Sequence, residues 1–420
     1  MEARTQWNFA ALCSVAAAMV LGNSMLIPVL PTIKRALDIT QVQVGLIITA
    51  FSVSAGVTIP VAGFLSDRLG RKPVIVVALV LYGLAGTAAG FASFLFAKPL
   101  VPILVIRAVQ GIGAGGTYQI AMALTGDIFQ SQERRAALGY LEAANGGGKV
   151  VAPLVGAALG MVAWSAPFYL YGLVALPVAA VVWTSVQEPS GSARKKTPVQ
   201  YWQALLHVFG VKLVSLGISF LAGMVVLLLY FGVLSNLSDV LEAEQDLRGM
   251  GLGLVIAIPV SVMALTAFFS GRWLANRSTR ALRLTSALGM LLASVGLVGA
   301  FWLRNPVPLV SSIVVMSLGN GMVLPSLNSL ITGSAPVEER GLVTSLYGTV
   351  RHIGAASGPP VFGMVVERGG PWVYAGAAGL AGVTAILLFF LVQERRMLGE
   401  QAQGAGQEPP KERHPGLEPA

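Results

Sequence analysis

The stretch G-F-L-S-D-R-L-G-R-K-P-V, from Gly63 to Val74, decides the fold of this chain. It separates two apolar runs, 44–66 and 73–95, and each run is long enough to cross a hydrocarbon layer of ~30 Å as a helix. A short polar segment between two such runs marks a turn at a membrane surface. One interpretation is an ordinary solvated turn whose basic residues stay inside the cell.

Composition places the whole chain in a membrane. Of 420 residues, 55% are apolar and only 11% are charged, and the mean hydropathy is +0.73. A soluble domain carries about a quarter charged residues. At roughly 20 residues per span, we predict an all-α polytopic membrane protein with twelve transmembrane helices. The predicted spans are 8–30, 42–66, 73–96, 99–128, 137–162, 165–186, 211–236, 249–270, 282–303, 307–330, 342–365 and 372–393.

Positive charge is distributed unevenly along the chain. With both termini inside, Lys and Arg occur roughly three times as often in the inner segments as in the outer loops, the bias that orients membrane proteins. We therefore predict cytoplasmic termini in the plasma membrane. The net charge of +9 then faces anionic lipid and not nucleic acid. The single cysteine, Cys13, excludes a disulfide within the chain, and the first apolar run is too long for a signal peptide, so we expect it to be retained.

Eight positions of the opening stretch match the pattern G-x-L-[small]-D-R-x-G-R-[KR] in type and spacing. This pattern resembles the loop between helices two and three of the major facilitator superfamily of transporters. In that family the loop braces the two halves of the protein in one conformation, and the resemblance implies the same role here. Asp67 and Arg71 share a helical face, and Asp127 ends the fourth span on the same side. The predicted switch residues are Gly63, Asp67, Arg68, Gly70, Arg71 and Asp127.

The fourth span contains R-A-V-Q-G-I-G-A-G-G, residues 107–116, which resembles the second signature of the superfamily, R-x-x-x-G-x-G. Its glycines also match a nucleotide-binding pattern, which we reject because no strand precedes it. Gly111 and Gly113 are better explained by close helix packing. A guanidinium inside a span faces a cavity or a partner, and in the family the arginine that Arg107 matches is tied to proton coupling. No acidic residue is an obvious partner for Arg107 at the same depth.

The fifth span, from Gly139, reads G-Y-L-E-A-A-N-G-G-G-K-V-V-A-P-L-V-G. It fits G-x8-G-x3-[GA]-P-x2-G and resembles the signature of drug–proton antiporters within the superfamily, although Ala152 and Ala157 replace the usual glycines. The matching positions that we assign to helix packing are Gly139, Gly148, Pro153 and Gly156.

Glu142, Asn145 and Lys149 lie on one stripe of this helix. The functional interpretation has Glu142 take up and release a proton while Lys149 presents a charge to the substrate. We expect Glu142 to be held away from water, because a buried carboxyl can titrate near neutral pH. The alternative is a structural Glu142–Lys149 pair, although seven residues rise about 10 Å along a helix.

The second half of the chain repeats the first at an offset of about 205–209 positions. This offset aligns Gly148 with Gly354 and Pro153 with Pro359, and it places Arg351, one turn after Tyr347, opposite Asn145. It predicts two pseudo-twofold-related bundles with substrate bound between them. The boundaries are 1–186 and 211–394 for the bundles, 187–210 for a cytoplasmic linker, and 395–420 for a disordered tail.

The substrate cavity should therefore lie between the halves. Its candidate residues are Asn23, Arg107, Gln110, Asn145, Lys149, Tyr347 and Arg351. His352 could relay protons, but with only one such histidine we assign it to packing or a hydrogen bond.

Together these features predict a secondary transporter, working as a monomer, that exports small amphiphilic compounds in exchange for protons. It would use the proton gradient and no cofactor or metal. One alternative is a proton-coupled transporter or flippase for an anionic metabolite or lipid, favoured by the cations Arg107, Lys149 and Arg351. Another is a membrane sensor that transports nothing. An enzyme is not expected, because the three histidines form no H-E-x-x-H motif.

Overall fold

A computed structural model describes residues 3–129, 131–188, 198–275, 277–303, 305–334 and 340–393. The regular elements of these residues are all helices. In chain order they are α1 (Ala3–Ser24), a short 3-10 helix (Ile27–Val29), α2 (Leu30–Leu37), α3 (Gln41–Leu69), α4 (Arg71–Leu95), α5 (Leu100–Gly115), α6 (Tyr118–Ile128), α7 (Ser131–Val162), α8 (Ala166–Ser185), α9 (Pro198–Gln245), α10 (Gly249–Leu274), α11 (Thr279–Trp302), α12 (Pro306–Gly333), α13 (Arg340–Gly369) and α14 (Trp372–Leu391).

The predicted all-α membrane fold is confirmed. The first span is formed by α1 and α2, the fourth by α5 and α6, and each other span by one helix. Within the described residues, ten spans are long and apolar enough to cross a membrane. The other two spans, α7 and α13, are less apolar because they contain the polar residues that the sequence analysis selected, among them Glu142, Lys149 and Arg351. In lipid a helix is favoured because it satisfies its backbone hydrogen bonds within one segment.

The helices alternate in direction, so their ends lie at two faces of the protein. We call the face that holds Gly70 and Arg340 the terminal face, since the first helix begins there and the last ends there. The opposite face holds the turns at Asp38 and Asp246, and we call it the ion-pair face. Asp38 and Asp246 both have a φ of 51° and lie one repeat apart in the chain, so the repeat is visible in the backbone.

The repeat is also visible in how glycines of α5 and α12 pack. A Cβ at Gly115 would lie 2.7 Å from the carbonyl oxygen of Ala55, and a Cβ at Gly321 would lie 2.6 Å from that of Met263. Each glycine thus lets its helix approach the backbone of the equivalent neighbour, α3 in one half and α10 in the other. Such close approach is the usual role of small residues between membrane helices.

Most of the predicted packing positions make such contacts. A Cβ at Gly111 would meet the Phe51 carbonyl oxygen at 2.2 Å, and one at Gly156 would meet that of Met25 at 1.9 Å. Gly148 packs on α1, and Gly354 packs at the equivalent place on α9. Gly139 is the exception. A Cβ there would meet no described atom within 4 Å, so the packing role of Gly139 remains a prediction.

The buried apolar side chains form two separate cores. One runs from Ala11 to Val186, and the other from Leu216 to Val392 with Ile27 added from the first half. These cores support the predicted division into two bundles, whose exact boundaries remain a prediction. Part of the predicted linker, residues 189–197, and the predicted tail from residue 395 lie outside the described residues.

Two seams join the halves, and they differ in length. The seam between α3 and α13 is closed from end to end, through Gly45 beside Pro359, the Thr49 hydroxyl donating to Ala356 O at 2.5 Å, and the Thr349 hydroxyl donating to Gly56 O at 2.7 Å. The second seam, between α7 and α10, includes close contacts near the ion-pair face. There a Cβ at Gly253 would lie 3.2 Å from Pro153 O and 2.4 Å from the Ala157 Cβ.

Candidate functional site

Arg107 is the largest fully buried side chain, and neutral oxygens surround it. Its Nη2 donates to Asn23 Oδ1 and its Nη1 to Gln110 Oε1, each at 2.6 Å, while Nε donates to Ile47 O at 3.3 Å. The guanidinium also lies 4.4 Å from the centre of the Phe51 ring. Neutral acceptors and an aromatic face therefore replace the carboxylate partner that a buried arginine usually has.

This cluster is closed off from the cavity. Arg107 and Gln110 have no exposed surface and Asn23 is 9% exposed, while Asn23 Nδ2 donates to the buried Ser52 hydroxyl at 2.9 Å. The prediction that Asn23, Arg107 and Gln110 line the substrate cavity therefore does not hold in this conformation. Asn23 and Gln110 supply acceptors to the guanidinium because a charge inside an apolar bundle gains more from nearby dipoles than from an empty space, although Gln110 Nε2 itself has no partner among the described residues.

Glu142 is exposed on α7, so the expectation that it lies away from water is wrong in this conformation. Its carboxylate faces the Tyr118 phenol of α6 and interacts electrostatically with Lys149, which is half-buried. Asn145 is 8% exposed and turns into the bundle. The space beside this part of α7 explains the difference, because a Cβ at Gly146, one turn further along, would meet no described atom within 4 Å.

Arg351 brings a cation from the other half to the same place. Its charge acts on Lys149 and on the Tyr118 phenol, so Glu142, Lys149 and Arg351 form one group across the two halves. The guanidinium lies 5.4 Å from the centre of the Tyr347 ring. Among the described residues, neither Arg351 Nε nor the buried Tyr347 hydroxyl has a hydrogen-bond acceptor. The group therefore presents two cations and open donors beside a single carboxylate.

His352, next to Arg351, bonds to its own helix and packs on α3. Its Nδ1 lies 2.9 Å from Gly348 O, and its Cβ packs 3.0 Å from the position that a Cβ on Gly56 would occupy in α3. The hydrogen bond expected from the sequence is present. His352 is thus part of the α3–α13 seam.

The turn at the terminal face brings its predicted charges together. Arg71 Nε lies 2.5 Å from Asp127 Oδ2, and Arg71 Nη2 lies 3.7 Å from Asp67 Oδ1. Gly70 has a φ of 96°, a conformation that favours glycine. The sequence reasoning missed Glu188, whose carboxylate accepts the backbone N–H groups of Arg71 at 2.6 Å and of the next residue at 3.1 Å.

These contacts tie together α3, α4, α6 and the segment after α8, which all belong to the first half. The other two switch residues also have partners there or across the seam. The Arg68 guanidinium lies 4.6 Å from the centre of the Phe64 ring, and a Cβ at Gly63 would lie 3.5 Å from the Ser345 hydroxyl of α13. The role of this loop as a brace between the halves remains a prediction.

Two ion pairs that the sequence reasoning missed join the halves at the ion-pair face. Lys34 of α2 pairs with Asp239 of α9, and Arg35 pairs with Glu242, whose side chain is only 6% exposed. The seventh span was predicted to end at 236, but α9 continues to Gln245 and carries both acids. Asp239 and Glu242 are therefore acidic residues within a membrane-spanning helix. The repeat gave a partial signal, because an offset of 205 aligns Lys34 with Asp239 and an offset of 207 aligns Arg35 with Glu242.

No cluster of three or more metal-ligating side chains occurs within the described ranges. The arrangement instead offers an accessible carboxylate, two cations on long side chains (Lys149 and Arg351) and aromatic rings at the junction of two bundles. Such a site can exchange a proton with water and bind an organic molecule, and it sits where relative motion of the bundles would change its access.

Comparisons with known proteins agree with this arrangement. A family model described as Major Facilitator Superfamily matches residues 12–359 and 246–417. The chain is 35% identical to the bacillibactin exporter of Bacillus subtilis, over 94% of this chain and 99% of that one. It is 26% identical to the multidrug efflux protein YfmO of the same species, over 92% and 93% of the two chains. Among solved structures it resembles a D-xylose–proton symporter with a TM-score of 0.74 and 16% identity, covering 92% of this chain and 98% of that chain.

Proposed function

Because the chain belongs to the major facilitator superfamily, we propose that it exports small amphiphilic compounds from the cell in exchange for protons. The family consists of transporters that need no cofactor, and the chain is an integral membrane protein of the plasma membrane, not an enzyme. The names of its relatives support the outward direction. We further propose that the terminal face is cytoplasmic, in keeping with the bias of Lys and Arg toward that side.

The observation that carries the proton step is the exposed Glu142 carboxylate in one electrostatic group with Lys149 and Arg351. In this conformation two ion pairs join the halves at the ion-pair face, and Glu142 is exposed on the part of α7 nearer the terminal face. A rocking motion of the two bundles would open the ion-pair face and close the gap beside Glu142. The carboxylate would thus meet water from each side in turn, which is what a carrier that exchanges protons requires.

Gradient-driven transport in inverted membrane vesicles tests this proposal. An imposed pH gradient should drive accumulation of the exported compound, with bacillibactin as the first compound to try, followed by cationic, neutral and anionic compounds. Glu142→Gln should lower the accumulation at least tenfold, since an amide cannot exchange a proton. The variant Glu133→Gln, an exposed carboxyl near the start of the same helix, serves as the matched control and should keep it. Full accumulation by Glu142→Gln would rule out this residue as the proton carrier.

A second candidate function, transport of an organic anion, is favoured by the surplus of cations at the site. Lys149 and Arg351 face one carboxylate, and Arg351 Nε lacks an acceptor among the described residues. A bound anion would favour the protonated form of Glu142, whereas a compound exchanged for protons must displace the proton. Proton uptake on binding to the solubilised protein would therefore indicate an anionic substrate, and proton release would indicate antiport. A membrane sensor would accumulate no compound, whatever the direction of the imposed pH gradient.

A further inference from the structure

The turn between α10 and α11 carries three exposed arginines at the terminal face. Arg272 lies two residues before the end of α10, Arg277 lies in the turn itself, and Arg280 is the second residue of α11. We call these three residues the arginine turn. Among the described residues, none of the three forms an ion pair with a carboxylate. A cluster of positive charge without a described acidic partner is thus exposed where a membrane span ends.

The equivalent turn of the first half, between α3 and α4, keeps its central cation paired. An offset of 209 positions aligns Arg71 with Arg280, and it aligns Asp67 with an asparagine. Arg71 contacts both Asp67 and Asp127. Positions 332–336, which the offsets of 205–209 align with Asp127, contain no acidic residue. The second half has therefore kept the cation of this arrangement and lost both of its carboxylates.

The described acids of the second half lie at the other end of the molecule. Four of them belong to the last turns of α9 or directly follow that helix, at the ion-pair face, and the fifth accepts the backbone N–H of Val42 at the start of α3, on the same face. In chain order the five are Asp239, Glu242, Glu244, Asp246 and Glu367. The positive charge of the arginine turn is therefore not balanced by the described part of the second half.

An apolar stripe of α10 leads through the membrane to the arginine turn. Ile258, Leu265 and Phe269 each expose about half of their surface or more, and their spacing puts them on one side of the helix. The exposed Trp273 continues this side to the turn. Met263, on the other side, is buried, and its backbone lies against α12. Because α10 is a membrane span, the stripe faces away from the bundle and toward acyl chains.

Aromatic rings beside this stripe hold two of the guanidinium groups. The Arg277 guanidinium carbon lies 4.8 Å from the centre of the Trp273 ring, and that of Arg272 lies 5.5 Å from the centre of the Phe268 ring. A guanidinium that stacks on a ring keeps the N–H groups at its edge available, and these match the oxygens of a phosphate. Cations thus follow apolar side chains along α10 in the order in which a headgroup follows the acyl chains of a lipid.

We propose that the arginine turn binds the headgroup phosphate of an anionic phospholipid whose acyl chains lie along the α10 stripe. The phosphate would neutralise the arginines as Asp67 and Asp127 neutralise Arg71 in the first half. A net negative headgroup is selected because a zwitterionic one brings its own cation to a site that already has three. The site depends on neither the cargo nor the proton step, so it can be tested apart from the proposed export.

Fluorescence quenching in phosphatidylcholine proteoliposomes tests the site without any substrate. In a Cys13→Ser background, bimane on Leu265→Cys should be quenched at least threefold more by phosphatidylglycerol with a nitroxide on its acyl chain than by the same amount of phosphatidylcholine with that label. Val61→Cys on α3 is the matched control. Leu265 and Val61 are 56% and 53% exposed, and each lies seven residues before an arginine. At Val61→Cys the two lipids should quench within 1.5-fold of each other, because carboxylates of the chain neutralise the first turn.

Removing the charge shows whether the arginines cause the preference. Arg277→Gln combined with Arg280→Gln should reduce the preference at Leu265→Cys to below 1.5-fold. Salt at 1 M should reduce it at least twofold with all arginines in place, because salt screens exposed charges. The salt measurement needs no folded variant. A preference that persists in the folded double variant, or in 1 M salt, would show that the arginines do not bind the phosphate.

Two further results would overturn the proposal. Equal preferences at Leu265→Cys and Val61→Cys would mean that the whole terminal face attracts anionic lipid without a site at the arginine turn. No preference at either position would mean that carboxylates outside the described ranges already neutralise the arginines. If the preference is found but the wild-type protein accumulates no compound under any gradient, the proposed export fails and the lipid site stands.

Discussion

At the scale of single residues, Arg107 depends on neutral partners, and Asn23 is the one whose loss is easiest to measure. Asn23→Ala would remove the acceptor of Arg107 Nη2 and leave a buried donor unpaired, which costs about 1–3 kcal/mol. We expect a fall of several degrees in the melting temperature of the detergent-solubilised protein. Asn23→Asp should be tolerated, since its carboxylate would pair with the guanidinium.

Asn320 of α12 is the matched control for this prediction. It is also buried within a span, but neither of its side-chain amide atoms has a partner among the described residues. Asn320→Ala should therefore leave the melting temperature unchanged or raise it. Equal losses for Asn23→Ala and Asn320→Ala would mean that filling space, and not the hydrogen bond to Arg107, sets the effect.

At the scale of helices, the equivalent glycines of α5 and α12 should tolerate a methyl group equally badly. A Cβ at Gly115 or Gly321 would lie within 2.7 Å of a backbone oxygen that cannot move without shifting its helix. Overpacking of this kind costs about 1–3 kcal/mol. We expect Gly115→Ala and Gly321→Ala each to lower the thermal stability, measured by the loss of monodisperse protein on heating in detergent.

Gly379→Ala on the outer face of α14 tests whether the effect comes from packing. Its Cβ would meet no described atom within 4 Å, so stability should be kept or slightly improved by the better helix propensity of alanine. If all three variants lose the same stability, close approach of the helices is not the reason for these glycines.

At the scale of the whole molecule, the ion pairs between α2 and α9 should hold the ion-pair face closed. Asp239→Lys places a like charge against Lys34 and should shift the population toward the conformation open at that face. A cysteine at Ala157, 2% exposed in the seam, should then react faster with a membrane-impermeant maleimide, by about tenfold for each 1.4 kcal/mol of shift.

Reversing both charges restores the attraction, so Lys34→Asp with Asp239→Lys should return the labelling rate to that of the background. Asp246→Lys is the control, because Asp246 is 80% exposed and its pair with Arg248 lies within one half. Exposed pairs of this kind contribute about 0–1 kcal/mol. A double variant that labels as fast as Asp239→Lys would show that the pair does not control the opening.

Features that depend on neighbouring positions could be predicted from the sequence. Ten of the twelve spans follow from the length of an apolar run, and the meeting of Asp67 with Arg71 follows from their spacing on one helix. The repeat also located the cations Lys149 and Arg351, because equivalent helices occupy equivalent places in the two halves. Glu188 was missed, since a carboxylate after the sixth span reaches the turn at Gly70 only once the bundle is assembled.

The sequence by itself determined the membrane fold, because a chain in lipid must satisfy its backbone hydrogen bonds within each segment and therefore forms helices wherever an apolar run is long enough. Only the tertiary structure decided which side chains face water, partner or lipid. Glu142 is exposed while Asn145 on the same helix is buried, Arg107 is enclosed because the first span lies over it, and Lys34 meets Asp239 because the two halves close on each other. Contacts between residues so far apart in the chain are set by how whole helices pack, and no local pattern encodes that packing.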